Sequence, residues 1–394
     1  INPGVFVTKV DSQPGRVFVA PQSEINLIDT KFKMPQVWRF NLGVDHTLPW
    51  WDLVATVDLV ASKNINEILY QDLNLVGISD YLPLGEQDTI ASKRARWGAT
   101  RTASSPRRVN AARFTNVIYL SNTDNGYEYN VTFQITKNMS HGFFGSAAYT
   151  YGRAFTANNG TSSQAVSNWR FNPVKNNPND PEVATSNYEV RHKIITNLSY
   201  QFELIEKWTT TLSMFYIGRS GQPYSTTYNG DVNADGQTSN DLIYVPKDSL
   251  DINLIPYTVG GKTYTVGEQR ALLEAYINGD PALKKNRGKV ISRNASTTPW
   301  NNRVDLRLAQ NIPVGDKWGR LEFTWDIINF MNLLSKEWGQ YKYVANQNDS
   351  PIRFAGVNAQ GKPTFTFTRT TKERFVTAGI GSLWQMQFGF RYTF

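Results

Sequence analysis

The sequence predicts an all-β protein, a transmembrane antiparallel β-barrel, and three observations lead there. Long stretches alternate strictly between apolar and polar side chains over ten residues or more, the signature of strands with two unlike faces. The connections between them switch between short and long. Aromatics reach 13% of the chain although its mean hydropathy is only −0.43. A disordered chain does not carry 11 Trp, 19 Tyr and 21 Phe. A helical membrane protein needs about eighteen or more consecutive apolar residues, and no such run occurs.

In chain order, Trp38, Phe40, Leu42, Val44, His46 and Leu48 alternate with Arg39, Asn41, Gly43, Asp45 and Thr47. Tyr127, Tyr129, Val131, Phe133 and Ile135 oppose Glu128, Asn130, Thr132, Gln134 and Thr136. Val304, Leu306, Leu308 and Ile312 oppose Arg303, Asp305, Arg307 and Asn311, and Leu321, Phe323, Trp325 and Ile327 oppose Glu322, Thr324 and Asp326. At the end, Ser382, Trp384, Met386, Phe388, Phe390, Tyr392 and Phe394 share one face. Weaker alternation covers 53–62, 143–152, 193–203 and 209–217. Runs of this length, with charges and amides on one face, suit strands of about 9–11 residues crossing a bilayer. The competing reading is a large soluble β-protein with surface aromatics, whose strands would be about five or six residues long.

Nine spanning runs result: 36–48, 53–70, 126–137, 142–155, 189–204, 208–223, 301–313, 319–331 and 381–394. Short links at 48–51, 137–142, 204–208 and 314–319 are expected on the periplasmic side; long polar segments at 71–125, 156–188, 225–300 and 333–379 are expected outside. Trp50, Trp51, Trp208, Trp318, Phe143 and Phe144 flank the short turns, where an interfacial girdle belongs. Residues 1–35 would then be extracellular. Single-chain bacterial barrels have an even strand number. Nine strands therefore mean either a missed strand in 1–35 or the C-terminal portion of a larger barrel, and the second is the expectation.

The balance of 41 Lys plus Arg against 33 Asp plus Glu is +8, and cysteine is absent, which excludes disulfides and Cys-ligated metal centres. Ile1-Asn2-Pro3-Gly4 has no signal-peptide character, so the chain is expected to be mature or a piece of something longer. Asp231-Val-Asn233-Ala-Asp235-Gly236-Gln237 places oxygen ligands at positions 1, 3 and 5, glycine at 6 and a backbone carbonyl at 7, the first half of an EF-hand loop. The second half departs: position 12 is Leu242, and the nearest carboxylate is Asp241 at position 11. Calcium held by Asp231, Asn233, Asp235, Gln237 and Asp241, stapling a surface loop, is expected; the plain alternative is an Asp/Asn-rich turn. Residues 268–277 pair Leu272 with Tyr276 and Leu273 with Ile277 at helical spacing, predicting one short loop helix.

Lys93, Arg94, Arg96, Arg101, Arg107, Arg108 and Arg113 form a run without an acid. It is read as a solvated loop or as a contact for lipopolysaccharide phosphate; nothing suggests nucleic-acid binding. No enzyme motif appears. Gly261-Lys262-Thr263 has Pro256 where a phosphate loop needs glycine, and His46, His141 and His192 are scattered. Arg39, Asp45, Asp58, Arg303, Asp305, Arg307, Asp326 and Arg391 are expected to form a charged lumen wall.

Several stretches together resemble one family: Met34-Pro35-Gln36-Val37-Trp38-Arg39, Tyr149-Thr150-Tyr151-Gly152-Arg153-Ala154, Arg219-Ser220-Gly221-Gln222-Pro223-Tyr224, the Asn229–Asn233 and Asn240–Pro246 segments, Pro299-Trp300-Asn301-Asn302-Arg303-Val304-Asp305, Phe330-Met331-Asn332-Leu333-Leu334 and the terminal Phe390-Arg391-Tyr392 with Phe394. They are similar to the C-terminal barrel region of TonB-dependent receptors of the Oar-like subgroup, over essentially the whole chain. The resemblance implies a 22-stranded outer-membrane barrel, of which this chain would supply about the last nine strands. It also implies a plug inside the barrel, often a carboxypeptidase-regulatory-like domain in front, and ligand uptake energised by TonB. Phe394 resembles the signal read by the barrel-assembly machinery. No stretch matches the plug or the TonB-contacting segment. The implied partners are the N-terminal barrel and plug region, TonB through it, outer-membrane lipid, and a surface lipoprotein or envelope complex. A structural barrel acting as adhesin or scaffold, or a passive porin, is the alternative.

Overall fold

Strict alternation folds into one antiparallel sheet. The structure is a computed structural model that describes residues 22–86, 89–98, 102, 106–315, 318–369 and 373–394. Its nine long strands are Gln36–Thr47, Leu53–Asp72, Tyr127–Ser140, Phe143–Thr156, His192–Ile205, Trp208–Arg219, Asn301–Pro313, Arg320–Ile328 and Gln385–Thr393. Each pairs antiparallel with its neighbour in this order. All nine expected runs are present. Among the described residues, no helix is long and apolar enough to cross a membrane.

The fifth strand begins at His192 rather than 189 and the sixth ends at Arg219 rather than 223; the eighth and ninth are also shorter than expected, for local reasons. The eighth stops at Ile328 because Asn329 adopts φ +55° and sends the chain into a helical turn, Phe330–Leu334. The Asn329 backbone N–H donates to Asp305 Oδ1 at 2.8 Å, and its side-chain amide donates to the carbonyls of Gly339 and Ser382, both at 3.1 Å. The ninth begins at Gln385, since Ser382 is buried in a 3₁₀ turn and its hydroxyl accepts from the Tyr341 N–H.

Register makes the two faces continuous. Phe388, Trp325, Leu308, Leu212 and Tyr200 stand opposite one another across five strands. One residue along, Gln387, Asp326, Arg307, Ser213 and Ser199 form the parallel polar row. The apolar face is bare: Trp38, Leu42, Val44, Phe133, Phe388 and Phe390 are exposed, which suits hydrocarbon and not water. Trp50, Trp51 and Trp318 stand exposed at the short turns. At the other end Tyr149, His192 and Trp300 cluster, with the Tyr149 hydroxyl 2.8 Å from His192 Nδ1. These are two aromatic girdles. On the polar face Arg303 grips Asp305 at 2.6–3.1 Å, Arg307 lies 3.5 Å from Asp326, and Arg391 lies 3.8 Å from Glu322.

Among the described residues, Gln36–Thr47 pairs only with the second strand and Gln385–Thr393 only with the eighth. Residues 1–21 lie outside the described residues; in the described part of 1–35 the strand Ser23–Ile28 is not a tenth span. It lies parallel on Phe114–Thr123, which in turn pairs with the outer end of the second strand, Glu67 to Asp72.

The long segments fold together into a module above the sheet. Pro223–Asn229 runs parallel to Asn348–Val357, which pairs with Pro363–Phe367. The expected helix is Val266–Asn278, closed at its start by a reciprocal Thr265–Glu268 capping box. Three shorter helices, at Ala165–Arg170, Pro281–Lys285 and Phe330–Leu334, were not expected from sequence. One apolar core joins Leu82, Tyr228, Ile243, Leu273, Ile352 and Phe365, and a second joins Tyr70, Trp97, Ile118, Val166 and Trp169.

Candidate functional site

The five expected calcium-loop residues come together in the middle of this module. Asn233, Asp235, Gln237 and Asp241 are buried, and Asp231 is half-buried. Asp231 carboxylate oxygens accept from the N–H groups of Asp235 at 3.0 Å and Gly236 at 2.8 Å. Asn233 Oδ1 accepts from the Asp235 N–H at 2.9 Å, and Asp235 Oδ1 from the Gln237 N–H at 2.8 Å. Gly236 has φ +91°, which a side chain there would strain. Asp235 Oδ2 receives two amides, from Asn233 at 3.0 Å and Asn240 at 2.7 Å. Asn240 joins the cluster although the 1, 3, 5, 7 spacing of the motif does not include it.

Asp241 faces both ways. Its Oδ2 accepts from the Val232 and Asn233 N–H groups at 2.7 and 3.0 Å, and its Oδ1 lies 3.5 Å from the Arg94 guanidinium. Burial, then the neighbouring carboxylates of Asp235 and Asp241, push Asp231 up to about 8. Burial and Asp241 push Asp235 up to about 7. Asp241 is also raised by burial, against the pull of Arg94. Three acids crowded in a dry site resist ionising together. Among the described residues, no group of three or more His, Cys, Asp or Glu converges closely enough to hold a metal by itself.

The loop is fastened on every side. Arg94 is fully buried and donates to the carbonyls of Val174 and Leu242, while Arg96 donates to that of Val232. Trp97 N–H donates to Asn233 O at 2.8 Å, Val174 N–H to Asn240 O at 2.8 Å, and the Asn348 amide to Ser239 O at 2.9 Å. Segments 71–125, 156–188 and 333–379 thus all meet on the 231–241 loop.

The basic run is divided by this packing. Arg94 and Arg96 point inward, and Arg108 pairs with Asp72. Arg107 and Arg113 are exposed, and Arg101 lies outside the described residues. Part of a run without acids is therefore drawn off the surface, because Asp72 and Asp241 supply its acids from elsewhere in the chain. Arg293, unremarked in the sequence, is buried likewise: it donates to Ala157 O at 2.7 Å and to Thr156 O and Asn172, and burial lowers it to about 10.

A cavity of about 690 Å³ opens beside the 266–278 helix, lined by Tyr276, Lys342, Phe367, Arg369, Arg374 and Phe375 among others. The Arg374 guanidinium lies 3.9 Å from the Tyr276 ring centre and donates to Asp280 at 2.8 Å.

A sheet with a bare apolar belt, a charged inner face, aromatic girdles and elaborate loops on one side only is that of an outer-membrane β-barrel protein. The family model described as Outer membrane beta barrel domain matches residues 2–352, and the chain belongs to that family. No curated protein matches it.

Proposed function

We propose that this barrel is part of a TonB-dependent receptor that binds a ligand at the cell surface and passes it inward with energy from TonB. The observation that supports this best is that the nine spanning strands leave the outer edges of Gln36–Thr47 and Gln385–Thr393 unpaired among the described residues. Open backbone is not tolerated in lipid, and single-chain barrels are even-numbered. Further strands completing a barrel of about 22 would enclose a lumen wide enough to need a plug. The resemblance of motifs along the chain points to the Oar-like subgroup. In this reading the Arg303, Asp305, Arg307 and Asp326 wall faces the plug, and the 690 Å³ cavity belongs to the ligand-collecting surface, its size being ordinary for a small-molecule site. The role is transport, not catalysis. Lipid surrounds the belt, and Arg107 and Arg113 are the cations of the basic run turned toward lipopolysaccharide.

The test uses the whole outer-membrane protein that carries this chain, purified in detergent. Capture by the immobilised C-terminal domain of TonB is expected, together with no steady conductance in planar bilayers. Steady conductance without capture would mean a porin. Neither capture nor conductance would mean a scaffold or adhesin, and either result overturns the proposal.

A further inference from the structure

We infer that the 231–241 loop is a calcium site, held by Asp231, Asn233, Asp235, the Gln237 carbonyl and Asn240, and that one cation there locks four surface segments together. Two features carry this independently. The spacing Asp231, Asn233, Asp235, Gly236 is that of a loop whose oxygens turn toward a common centre. Separately, Asn240 Oδ1 is wholly buried and has no hydrogen-bond partner. Its amide is already seated in the cluster through Nδ2, 2.7 Å from Asp235 Oδ2. An acceptor oxygen left bare in a dry site costs about 1–3 kcal/mol unless something positive meets it.

The charges point the same way. Asp241 has Arg94 beside it, whereas the hydrogen bonds to Asp235 come from neutral donors: two amides and one backbone N–H. A wholly buried carboxylate needs stronger compensation than that. The set is poor in carboxylates and rich in amide and carbonyl oxygen, which a hard cation accepts; Ca²⁺ takes six to eight oxygens from such groups and tolerates irregular geometry. Zinc and copper would want the nitrogen or sulfur ligands that the loop lacks.

The inference stands apart from the transport reading, because its readouts do not involve TonB. Ca²⁺ is titrated calorimetrically into the whole protein in detergent, and Tb³⁺ luminescence is excited through Trp97, whose backbone N–H donates to the Asn233 carbonyl at 2.8 Å. One saturable site is expected, with a dissociation constant on the order of 10⁻⁴–10⁻³ M, and chelation should expose segments 156–188 and 225–300 to protease together. Asn240→Ala should weaken binding at least about tenfold, as loss of one ligand worth roughly 1.4 kcal/mol. Asn240→Asp should bind more tightly, a gain that a misfolded loop would not give. Absence of a saturable signal in the wild-type protein, or unchanged binding in Asn240→Ala, would overturn the assignment.

Discussion

Replacing Phe388 with arginine tests which face of the sheet meets lipid. Thr393 sits opposite Arg320 at the inner turn, and Phe388 lies five residues further along the strand. At about 3.4 Å per residue and a tilt of about 40°, that places it roughly 13 Å above the inner boundary, near the middle of a core about 30 Å thick. Its ring is 59% exposed and lies alongside Trp325, with centroids 6.1 Å apart and planes 11° apart. A guanidinium there should cost about 2–4 kcal/mol, which is roughly thirtyfold to nearly a thousandfold in the folding equilibrium. The adjacent Gln387→Arg lands on the opposite face beside Asp326 and should stay within about 1 kcal/mol of wild type. Urea titration of the protein in lipid vesicles, followed by tryptophan fluorescence and by heat-modifiable gel mobility, measures both. Equal costs for the two variants, or a neutral Phe388→Arg, would refute the assignment of faces.

Arg94→Met leaves Asp241 buried without its cation; a loss of about 3–5 kcal/mol should appear as faster hydrogen exchange over 231–242, with the spanning strands unchanged. Trp169→Ala empties the second loop core and removes the indole N–H bond to Asn179 Oδ1 at 2.9 Å; about 3–5 kcal/mol should be lost, with cleavage at Arg170 as the first site of tryptic digestion. Gly142→Ala forces a side chain into φ +76° with its Cβ 2.2 Å from the Gln201 carbonyl; beyond the roughly 1–2 kcal/mol of the left-handed conformation, the clash should slow insertion into vesicles, measured by gel shift.

The spanning strands were readable because their environment is one-dimensional. Lipid on one side and water on the other impose a period of two on every strand, and Trp38 to His46 or Met386 to Tyr392 show it without reference to any neighbour. The loops obey no such period. Leu82, Ile243 and Phe365 meet in one core although nothing local marks them as buried. Arg94 and Arg96 look like solvated charge for the same reason: their counter-charges and carbonyls lie at 174, 232, 241 and 242. The Asp231 motif was visible because its oxygen-bearing side chains are close in sequence, while Asn240 became recognisable only once its amide was seen against Asp235. The eighth strand was drawn too long because the positive φ of Asn329 interrupts a pattern that its side chains alone would continue.

Time enters through the interlocking of the loops. The Gln347 amide reaches the Asn187 carbonyl across 160 residues, and Arg94 reaches Leu242 across 148. Contacts so distant along the chain are entropically slow to close and are not available to any one hairpin as it forms. Each hairpin must therefore cross the membrane with its outer segment still open, and the surface module condenses only after the strands bearing its last partners are in place. A sealed module thus marks a finished sheet, and a barrel stalled in assembly would display loose, protease-sensitive loops to the outside.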